Sequence, residues 1–214
     1  MKHIFIVNPA AGKGRALRFV KRIKQEAKTV SSNFEIRITR CPGHATEIAA
    51  EYKELNDTHI YSVGGDGTLN EVLNGMAESS TVLGVIPAGS GNDLARTLYG
   101  DFSTETIISN VMKGKSSPID LVKVNDRYFL NVSSIRFDAE VACNANRIKN
   151  FPLIPASLSY YLGIISTLVK CRSYNLNITI DGINMENRFL LAVICNGKYY
   201  GKGIMPAPEA NIND

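Results

Sequence analysis

The chain has 214 residues, of which 44% are hydrophobic and 21% are charged. This composition supplies enough apolar side chains for a packed core and excludes an intrinsically disordered chain. The formal net charge of +4 is too small to indicate a nucleic-acid partner, but it suits an anionic ligand or an anionic surface.

In the first hundred residues, strand-like runs alternate with helical patterns. The runs cover residues 3–7, 34–39, 59–63 and 82–86, and the helical patterns cover residues 15–29, 44–55, 68–77 and 92–99. Strands separated by helices of this length predict βαβ units and a parallel sheet, so we expect an α/β fold. In such sheets, ligands bind at the carboxyl ends of the strands.

The pattern changes after about Ser117, where short strand-like runs dominate. These runs cover residues 118–124, 128–133, 174–180 and 189–195, and helical stretches over residues 138–149 and 156–171 interrupt them. We therefore predict a first domain over residues 1–117 and a β-rich second domain over residues 118–214.

The cysteines and the apolar stretches predict a cytoplasmic protein. Cysteines stand at positions 41, 143, 171 and 195, and because none forms a CxxC pair, reduced thiols are expected rather than a zinc site or disulfides. The amino-terminal apolar run turns polar at Asn8, too early for a secretion signal. Residues 151–169 carry no charge, but their prolines, polar residues and helical apolar spacing predict a core-packed helix rather than a membrane span.

The sequence GGDGT at residues 64–68 is the most informative motif. Its glycines leave backbone N–H groups open, and a predicted helix begins there, a combination that binds phosphate. Because Asp66 would repel phosphate, its presence predicts a Mg²⁺ ion between the carboxylate and the phosphates. The alternative is a plain Gly-Asp-Gly turn, which five matching residues between a strand and a helix disfavour.

Two further glycine loops follow predicted strands. Residues 8–14 (NPAAGKG) lack the Gly-Lys-Ser/Thr ending of the P-loop proteins, so a surface turn is the alternative there. Residues 87–93 (PAGSGND) offer glycines and a hydroxyl, and ordinary helix capping by Asn92 or Asp93 is the alternative. The convergence of three such loops at one edge of a sheet is what favours a phosphate site.

These loops resemble the three signatures of the diacylglycerol kinase catalytic domain family, which includes diacylglycerol, sphingosine and related bacterial lipid kinases. The order and spacing of the three motifs also match those of the family, and the resemblance covers nearly the whole chain. It implies a nucleotide-binding domain, similar also to NAD kinase, followed by a β-rich, sandwich-like domain that is incomplete here. It also implies transfer of the ATP γ-phosphoryl group to a lipid hydroxyl, with diacylglycerol as the favoured acceptor and Mg²⁺ as cofactor.

The resemblance assigns roles by position. Asp66, Asp93 and Asp120 match the acidic residues around the catalytic Mg²⁺, and Asp66 has a second role as base in the sphingosine kinase branch. Asn211 and Asp214 match positions of a structural Mg²⁺ site. The nucleotide-contacting positions and the loops that carry them are Asn8, Pro9, Ala10, Ala11, Gly12, Thr39, Gly64, Gly65, Asp66, Gly67, Thr68, Leu69, Asn70, Glu71, Gly89, Ser90, Gly91 and Asn92.

The chain departs from the family pattern in two places. Its final segment, residues 201–214, stops inside a motif that normally continues, so a later Asp-Gly-Glu motif with the main proposed base has no counterpart here. Residues 134–138 (SIRFD) replace a Gly-x-Gly-Phe-Asp pattern, and Arg136 is expected to be a solvated surface residue rather than a headgroup contact.

The expected partners are ATP, a lipid with a free hydroxyl and an anionic membrane surface, with no nucleic acid; a homodimer is left open. The predicted helix over residues 15–29 is strongly basic, with a buried stripe of Leu17, Val20, Ile23 and Ala27, and attraction to anionic lipids is weighed there against a plain exposed face. Two alternatives remain for the function: a kinase similar to NAD kinase, and a fragment that binds nucleotide or lipid without turnover.

Overall fold

The computed structural model describes residues 1–30, 33–103, 106–135, 173–189, 191–201 and 203–214, together with residues 162 and 166. The chain forms two compact units, Met1–Val132 with Cys195–Asp214, and Ser133–Ile194. The helices expected over residues 138–149 and 156–171, and Arg136, lie largely or wholly outside the described residues. The expected division into domains at residues 117 and 118 stays a prediction.

The first unit is built on a parallel sheet of four strands in the order β2-β1-β3-β4. Its elements are β1 (Lys2–Val7), α1 (Arg15–Val30), β2 (Phe34–Ile38), α2 (His44–Tyr52), β3 (Thr58–Gly64), α3 (Asp66–Met76), β4 (Val82–Pro87), α4 (Asp93–Tyr99) and α5 (Ile107–Lys113). The predicted strands and helices are confirmed to within three residues. Helix α5 was not predicted.

The central strands are buried on both faces, as parallel sheets require. Successive side chains of a strand point to opposite faces, and in β1 Phe5 and Val7 pack with α1 and α5, whereas Ile4 and Ile6 pack with α2 and α3. Helices therefore cover both faces of the sheet, which confirms the predicted α/β class. In α1 the buried residues are Ala16, Ile23 and Ala27; Leu17, expected in the buried stripe, is exposed, since Ala16 takes the inward position.

The described residues that follow α5 are β-rich. Their strands are β5 (Val122–Val124), β6 (Arg127–Phe129), β7 (Val132–Ile135), β8 (Tyr174–Ile180), β9 (Ile183–Phe189) and β10 (Ala192–Cys195). Strands β5 and β6 form one hairpin, β8 and β9 form another, and β7 pairs with β10.

Three strand predictions in this part were wrong in their bounds. In the run expected over residues 118–124, strand β5 begins only at Val122. The run expected over residues 128–133 is interrupted at Leu130 and Asn131, where the Asn131 amide turns aside to donate to Tyr199 O at 2.6 Å. The run expected over residues 189–195 contains only β10, while β9 lies before it. Strand β9 was missed, although Ile183, Met185 and Phe189 alternate with polar residues and the Asp181-Gly182 turn, with both φ positive, was recognised.

No helix within the described ranges combines the length and apolar character that crossing a membrane requires. The uncharged stretch over residues 151–169 falls mostly outside those ranges, so its expected helix stays a prediction.

Candidate functional site: three glycine loops and two cavities

The three glycine loops touch one another at the carboxyl edge of the sheet. A Cβ atom added to Gly89 would lie 2.3 Å from Gly65 Cα, and one added to Gly12 would lie 2.1 Å from Ala88 O. Any side chain at these positions would force the loops apart, and Gly12 also has a φ of +58°, which disfavours other residues. Glycine is therefore needed here for close approach of backbone to backbone, and the structure brings together the loops that the sequence singled out.

Arg15 links the first glycine loop to the third, a role that the sequence did not predict. Its Nε donates to Ala88 O at 3.2 Å and its Nη2 donates to Gly89 O, so the first residue of α1 fastens the third loop. The sequence placed Arg15 only among the basic residues of its helix. Its position directly after a glycine loop was the available signal, since a helix start follows a phosphate loop at that point.

A cavity of about 240 Å³, here called the polar cavity, lies between the first loop, the end of β2 and α3. Asn8 shapes its floor: the Asn8 Oδ1 accepts from Ala10 N at 3.0 Å, and its Nδ2 donates to Thr68 Oγ1 at 2.8 Å. Six of the predicted nucleotide-contacting residues line it. The lining is Asn8, Pro9, Ala10, Thr39, Arg40, Cys41, Pro42, Ala45, Thr68 and Glu71.

Glu71 links α3 to the start of α2 beside this cavity. The Glu71 Oε2 accepts from Ala45 N at 3.2 Å, and its backbone carbonyl accepts from Thr46 Oγ1 at 2.9 Å. A carboxylate that accepts from the first N–H groups of a helix stabilises that helix end. Glu71 therefore positions the wall of the polar cavity.

Asp66 has a structural role that the amino-acid sequence did not reveal. Its carboxylate accepts from Asn92 N at 2.8 Å and from Asp93 N at 2.9 Å, so it caps α4 from another loop. The expected local caps are absent among these residues: Asn92 has a left-handed backbone, and its side chain bonds both the N–H and the C=O of Gly89 instead. The second and third loops are thus joined by charge-assisted hydrogen bonds, which are stronger than neutral ones.

Asp66 and Asp93 turn their carboxylates toward the same glycine. A Cβ atom on Gly91 would lie 2.8 Å from Asp66 Oδ2 and 3.4 Å from Asp93 Oδ2, while Asp93 Oδ1 accepts from Gly203 N at 3.0 Å. Paired carboxylates are oxygen donors of the kind that Mg²⁺ prefers. Within the described part of the chain, three or more His, Cys, Asp or Glu residues nowhere cluster as a metal site, so such an ion would need phosphate oxygens and water to complete its ligands.

A second cavity of about 280 Å³, here called the apolar cavity, lies on another side of α3. Both carboxylates line it, and most other lining residues are hydrophobic. The lining is Asp66, Leu69, Asn70, Leu73, Asp93, Leu94, Phe129, Leu130, Asn131, Val132, Tyr200 and Gly201. Ligand pockets of this kind are mainly apolar with a few polar groups that orient the ligand.

Two asparagines of α3 hold the wall of the apolar cavity. Asn74 pairs with both backbone groups of Tyr128: its Nδ2 donates to Tyr128 O at 3.0 Å and its Oδ1 accepts from Tyr128 N at 2.9 Å. The Asn70 Nδ2 donates to the same carbonyl at 3.2 Å. Asn70, expected among the nucleotide positions, therefore lines the apolar cavity and fixes strand β6.

The remaining predicted residues lie apart from both cavities. Asp120 is exposed, and its backbone N–H donates to Ile212 O at 2.8 Å, which places it beside the final segment that carries Asn211 and Asp214. Ile212 anchors that segment because its side chain is buried in the core with Leu130. Ser90 and Gly67 are exposed, and Ala11 packs against the α1 side of the core.

Comparisons with known proteins agree with this geometry. Residues 2–124 match the diacylglycerol kinase catalytic domain, and residues 131–214 match the YegS C-terminal NAD kinase beta sandwich-like domain. A diacylglycerol kinase from Bacillus subtilis (strain 168) is 30% identical over 98% of this chain and 69% of its own length. A diacylglycerol kinase from Staphylococcus saprophyticus is 29% identical over 88% of this chain and 62% of its own length.

Solved structures give the same result. The crystal structure of a diacylglycerol kinase from Bacillus anthracis str. Sterne superposes with a TM-score of 0.78 at 30% identity, covering all of this chain and 70% of that one. The catalytic-domain match alone spans more than half of the 214 residues. The chain belongs to the diacylglycerol kinase catalytic domain family.

Proposed function

We propose that the chain is an ATP-dependent lipid kinase that transfers the γ-phosphoryl group to the hydroxyl of diacylglycerol, giving phosphatidic acid. The observation that carries the proposal is the pair of cavities beside α3, one with polar side chains in half of its lining residues and one lined mostly by hydrophobic residues together with Asp66 and Asp93. The names of the relatives from B. subtilis and S. saprophyticus support the choice of lipid.

The polar cavity suits the nucleotide. Thr39 and Thr68 supply hydroxyls, Asn8 supplies an amide, and the neighbouring glycine loops bring backbone N–H groups close to a phosphate chain. The exposed Arg40 adds a cation at the wall. The terminal phosphate would then lie near Gly65 and Gly89, where the loops cross.

The apolar cavity suits the lipid end that carries the hydroxyl. Leu69, Leu73 and Phe129 offer surface to the first carbons of the acyl chains, and the carboxylates lie where a hydroxyl can be oriented. In the transfer, the lipid oxygen forms a bond to the γ-phosphorus as the bond from that phosphorus to the β–γ bridging oxygen breaks and ADP leaves. We assign the hydroxyl proton to the Asp66 carboxylate, with Asp93 orienting the same group.

Mg²⁺ is the proposed cofactor, and the fit rests on the donor set. Asp66 Oδ2 and Asp93 Oδ2 converge on Gly91, and Asp66 Oδ2 accepts one backbone hydrogen bond from the described residues, which leaves it a lone pair for a cation. When bound, the ion neutralises charge on the transferred phosphoryl group. Asn211 and Asp214 are proposed for a separate structural site. Asp120, expected near the catalytic Mg²⁺, donates its backbone N–H to Ile212 O of that segment.

A lipid acceptor requires contact with a membrane, and we propose the outer face of α1 for it. Arg18, Lys21, Lys24 and Lys28 are exposed there beside Leu17, and none of them forms an ion pair with another described residue. Each basic residue near an anionic surface is worth about 1 kcal/mol. Changing these four residues to Gln should abolish sedimentation with phosphatidylserine vesicles at low salt, and unchanged sedimentation would refute this surface.

The activity is tested with γ-labelled ATP, Mg²⁺ and mixed micelles that contain diacylglycerol, sphingosine or no lipid, with NAD as a parallel acceptor. Labelled phosphatidic acid is the expected product, and it should be absent with Asp66→Asn. Label in NAD alone would replace the proposal with a kinase similar to NAD kinase. ATP binding without any labelled product would favour the non-enzymatic reading.

A further inference from the structure

A small cavity of about 10 Å³, here called the Ser62 cavity, lies beside the end of β3, between the second and third glycine loops. Ser62 lines it from the strand, Gly65 and Asp66 line it from the second loop, and Asn92 lines it from the third. Apolar residues of α3, β4 and α4 contribute to the wall. The Ser62 cavity shares no lining residue with the polar cavity, but it shares Asp66 and Leu69 with the apolar cavity.

Ser62 is a polar residue at a buried position of a central strand. Successive side chains of a strand alternate between the faces of the sheet, so Ser62 lies on the same face as Ile60, which packs with α2 and α3. Ser62 is 1% exposed, and its Oγ is the buried side-chain oxygen or nitrogen atom that lacks a hydrogen-bond partner among the described residues. An unpaired buried hydroxyl costs free energy, so such groups normally bind another protein group or an ordered water.

The size and the chemistry of the Ser62 cavity fit a single water molecule. Its volume of about 10 Å³ just reaches the roughly 10–15 Å³ that a water site requires. A buried water also needs about two to four polar partners, and the polar side chains of the lining are Ser62, Asp66 and Asn92. A Mg²⁺ ion retains several of its own water ligands, for which this cavity is too small.

We propose that the Ser62 cavity binds one ordered water molecule, which links the Ser62 hydroxyl to the Asp66 carboxylate. Ser62 is then a positioning residue, because it acts on Asp66 through the water. The kinetic consequence rests on the proposed function, in which Asp66 accepts the proton of the lipid hydroxyl. The water site itself depends only on the unpaired hydroxyl and the cavity.

The water gives Asp66 a support that the third loop does not supply. The two backbone N–H groups that donate to the carboxylate at 2.8 and 2.9 Å belong to Asn92 and Asp93, and Asp66 is otherwise exposed. A serine hydroxyl donates one hydrogen bond, and a water molecule donates two. Ser62 can therefore donate to the water while the water donates to the carboxylate, and such a bridge is nearly as favourable in enthalpy as a direct hydrogen bond. The carboxylate is then held from the sheet as well as from the loop.

The experiment compares the full chain with Ser62→Ala and with the control Ser80→Ala. Ser80 is an exposed serine that lines none of the Ser62, polar and apolar cavities. Magnetic relaxation dispersion of the water oxygen counts long-lived internal waters, and a crystal structure of each protein locates them. Thermal unfolding, calorimetric binding of Mg²⁺·ATP and steady-state kinetics with diacylglycerol are measured on the same three proteins.

We expect one long-lived water fewer in Ser62→Ala than in the parent chain, and electron density for a water between Ser62 and Asp66 in the parent. The melting temperature of Ser62→Ala should fall by about 2–4 °C, because the water loses a partner. A rise in melting temperature would instead show a hydroxyl without any partner, since alanine removes the cost of burying it. That rise, a dry cavity in the parent, or a metal ion in the cavity would overturn the proposal.

The kinetic measurements test the positioning role. In Ser62→Ala, kcat with diacylglycerol should fall about threefold to tenfold, the range for one hydrogen bond, while the Kd for ATP stays within about twofold of the parent value. Loss of the water with an unchanged kcat would overturn the positioning role. A parent chain that yields no labelled lipid would overturn the proposed function, and the dispersion and melting results would still decide the water site. Ser80→Ala should match the parent in every measurement.

Discussion

The polar and apolar cavities are lined by different residues of the same helix. Thr68 and Glu71 of α3 line the polar cavity, whereas Leu69 and Leu73 line the apolar one. Residues three or four apart share a face of a helix, so each pair lies on its own side. One helix thereby separates a site with hydrogen-bonding groups from a site with hydrocarbon surface.

The difference teaches how one motif can serve two substrates. The polar cavity is lined by residues of the first loop, of the segment after β2 and of the starts of α2 and α3, and Asn8 joins two of these parts through its hydrogen bond to Thr68. The apolar side is built from side chains that belong partly to the core, such as Leu73 and Leu130. Under the proposed function, a substitution in one cavity should therefore change the binding of only one substrate. A substitution of a residue between the two cavities should change the binding of both.

Asp66→Asn should have the largest effect, because Asp66 holds the second and third loops together and, in the proposed function, accepts the proton of the lipid hydroxyl. We expect kcat/KM for the lipid to fall by roughly 100-fold or more, in the range of losses of a key electrostatic group. Asp101→Asn, an exposed acidic residue outside both cavities, is the matched control. A decrease below threefold in Asp66→Asn would remove Asp66 from the mechanism.

Gly89→Ala should disturb the polar side strongly, since its Cβ would overlap Gly65 Cα at 2.3 Å. We expect a loss of about 1–3 kcal/mol in the free energy of unfolding, the usual cost of overpacking, together with weaker ATP binding. Gly67 belongs to the neighbouring motif, and a Cβ atom added there has no other atom within 4 Å. The unfolding midpoint of Gly67→Ala should therefore stay near that of the parent chain. Equal midpoints for the two variants would contradict the observed crossing of the loops.

Thr39→Val and Tyr200→Ala should show which substrate each cavity binds. Thr39→Val removes one hydroxyl from the polar cavity, so the Kd for ATP should rise by a few-fold to tenfold, as expected for one hydrogen bond. Tyr200→Ala removes apolar surface from the other cavity, so the KM for diacylglycerol should rise by a similar factor. Each variant should leave the other substrate's constant nearly unchanged, and a crossed effect would refute the separation.

Acid should destabilise the opposite edge of the sheet, away from both cavities. Burial, together with the neighbouring His59, lowers the pKa of His3 below its ordinary value of 6.5, and its Nδ1 lies 2.8 Å from Tyr61 Oη. The unfolded chain therefore binds protons more readily below about pH 6.5, and the free energy of unfolding should fall there by at most about 1.4 kcal/mol per pH unit for this group. Denaturant titrations between pH 7.5 and 5.5 should show that the free energy of unfolding depends less on pH in His3→Gln than in the parent chain. An equal pH dependence in both chains would assign the effect to another group.

The sequence predicted the parallel sheet because its signals are local. Apolar runs of strand length alternate with helical periods, and the glycine loops stand directly after β1, β3 and β4. Parallel strands bring such loops to one edge, so Asn8, Thr39 and Glu71 were placed beside one cavity from spacing and family resemblance. The short helix α5 and strand β9 were not predicted, although α4 and β8, which also have seven residues each, were predicted.

What the sequence determined by itself was therefore the order of elements from β1 to α4, the α/β class and the loops that gather at the carboxyl edge. Only the tertiary structure decided that Asp66 caps α4, that Arg15 fastens the third loop and that Asn70 lines the apolar cavity rather than the polar one. The physical reason is range: periodicity and turn chemistry act within a few residues, whereas these contacts join residues 27 to 73 positions apart and depend on how whole elements pack.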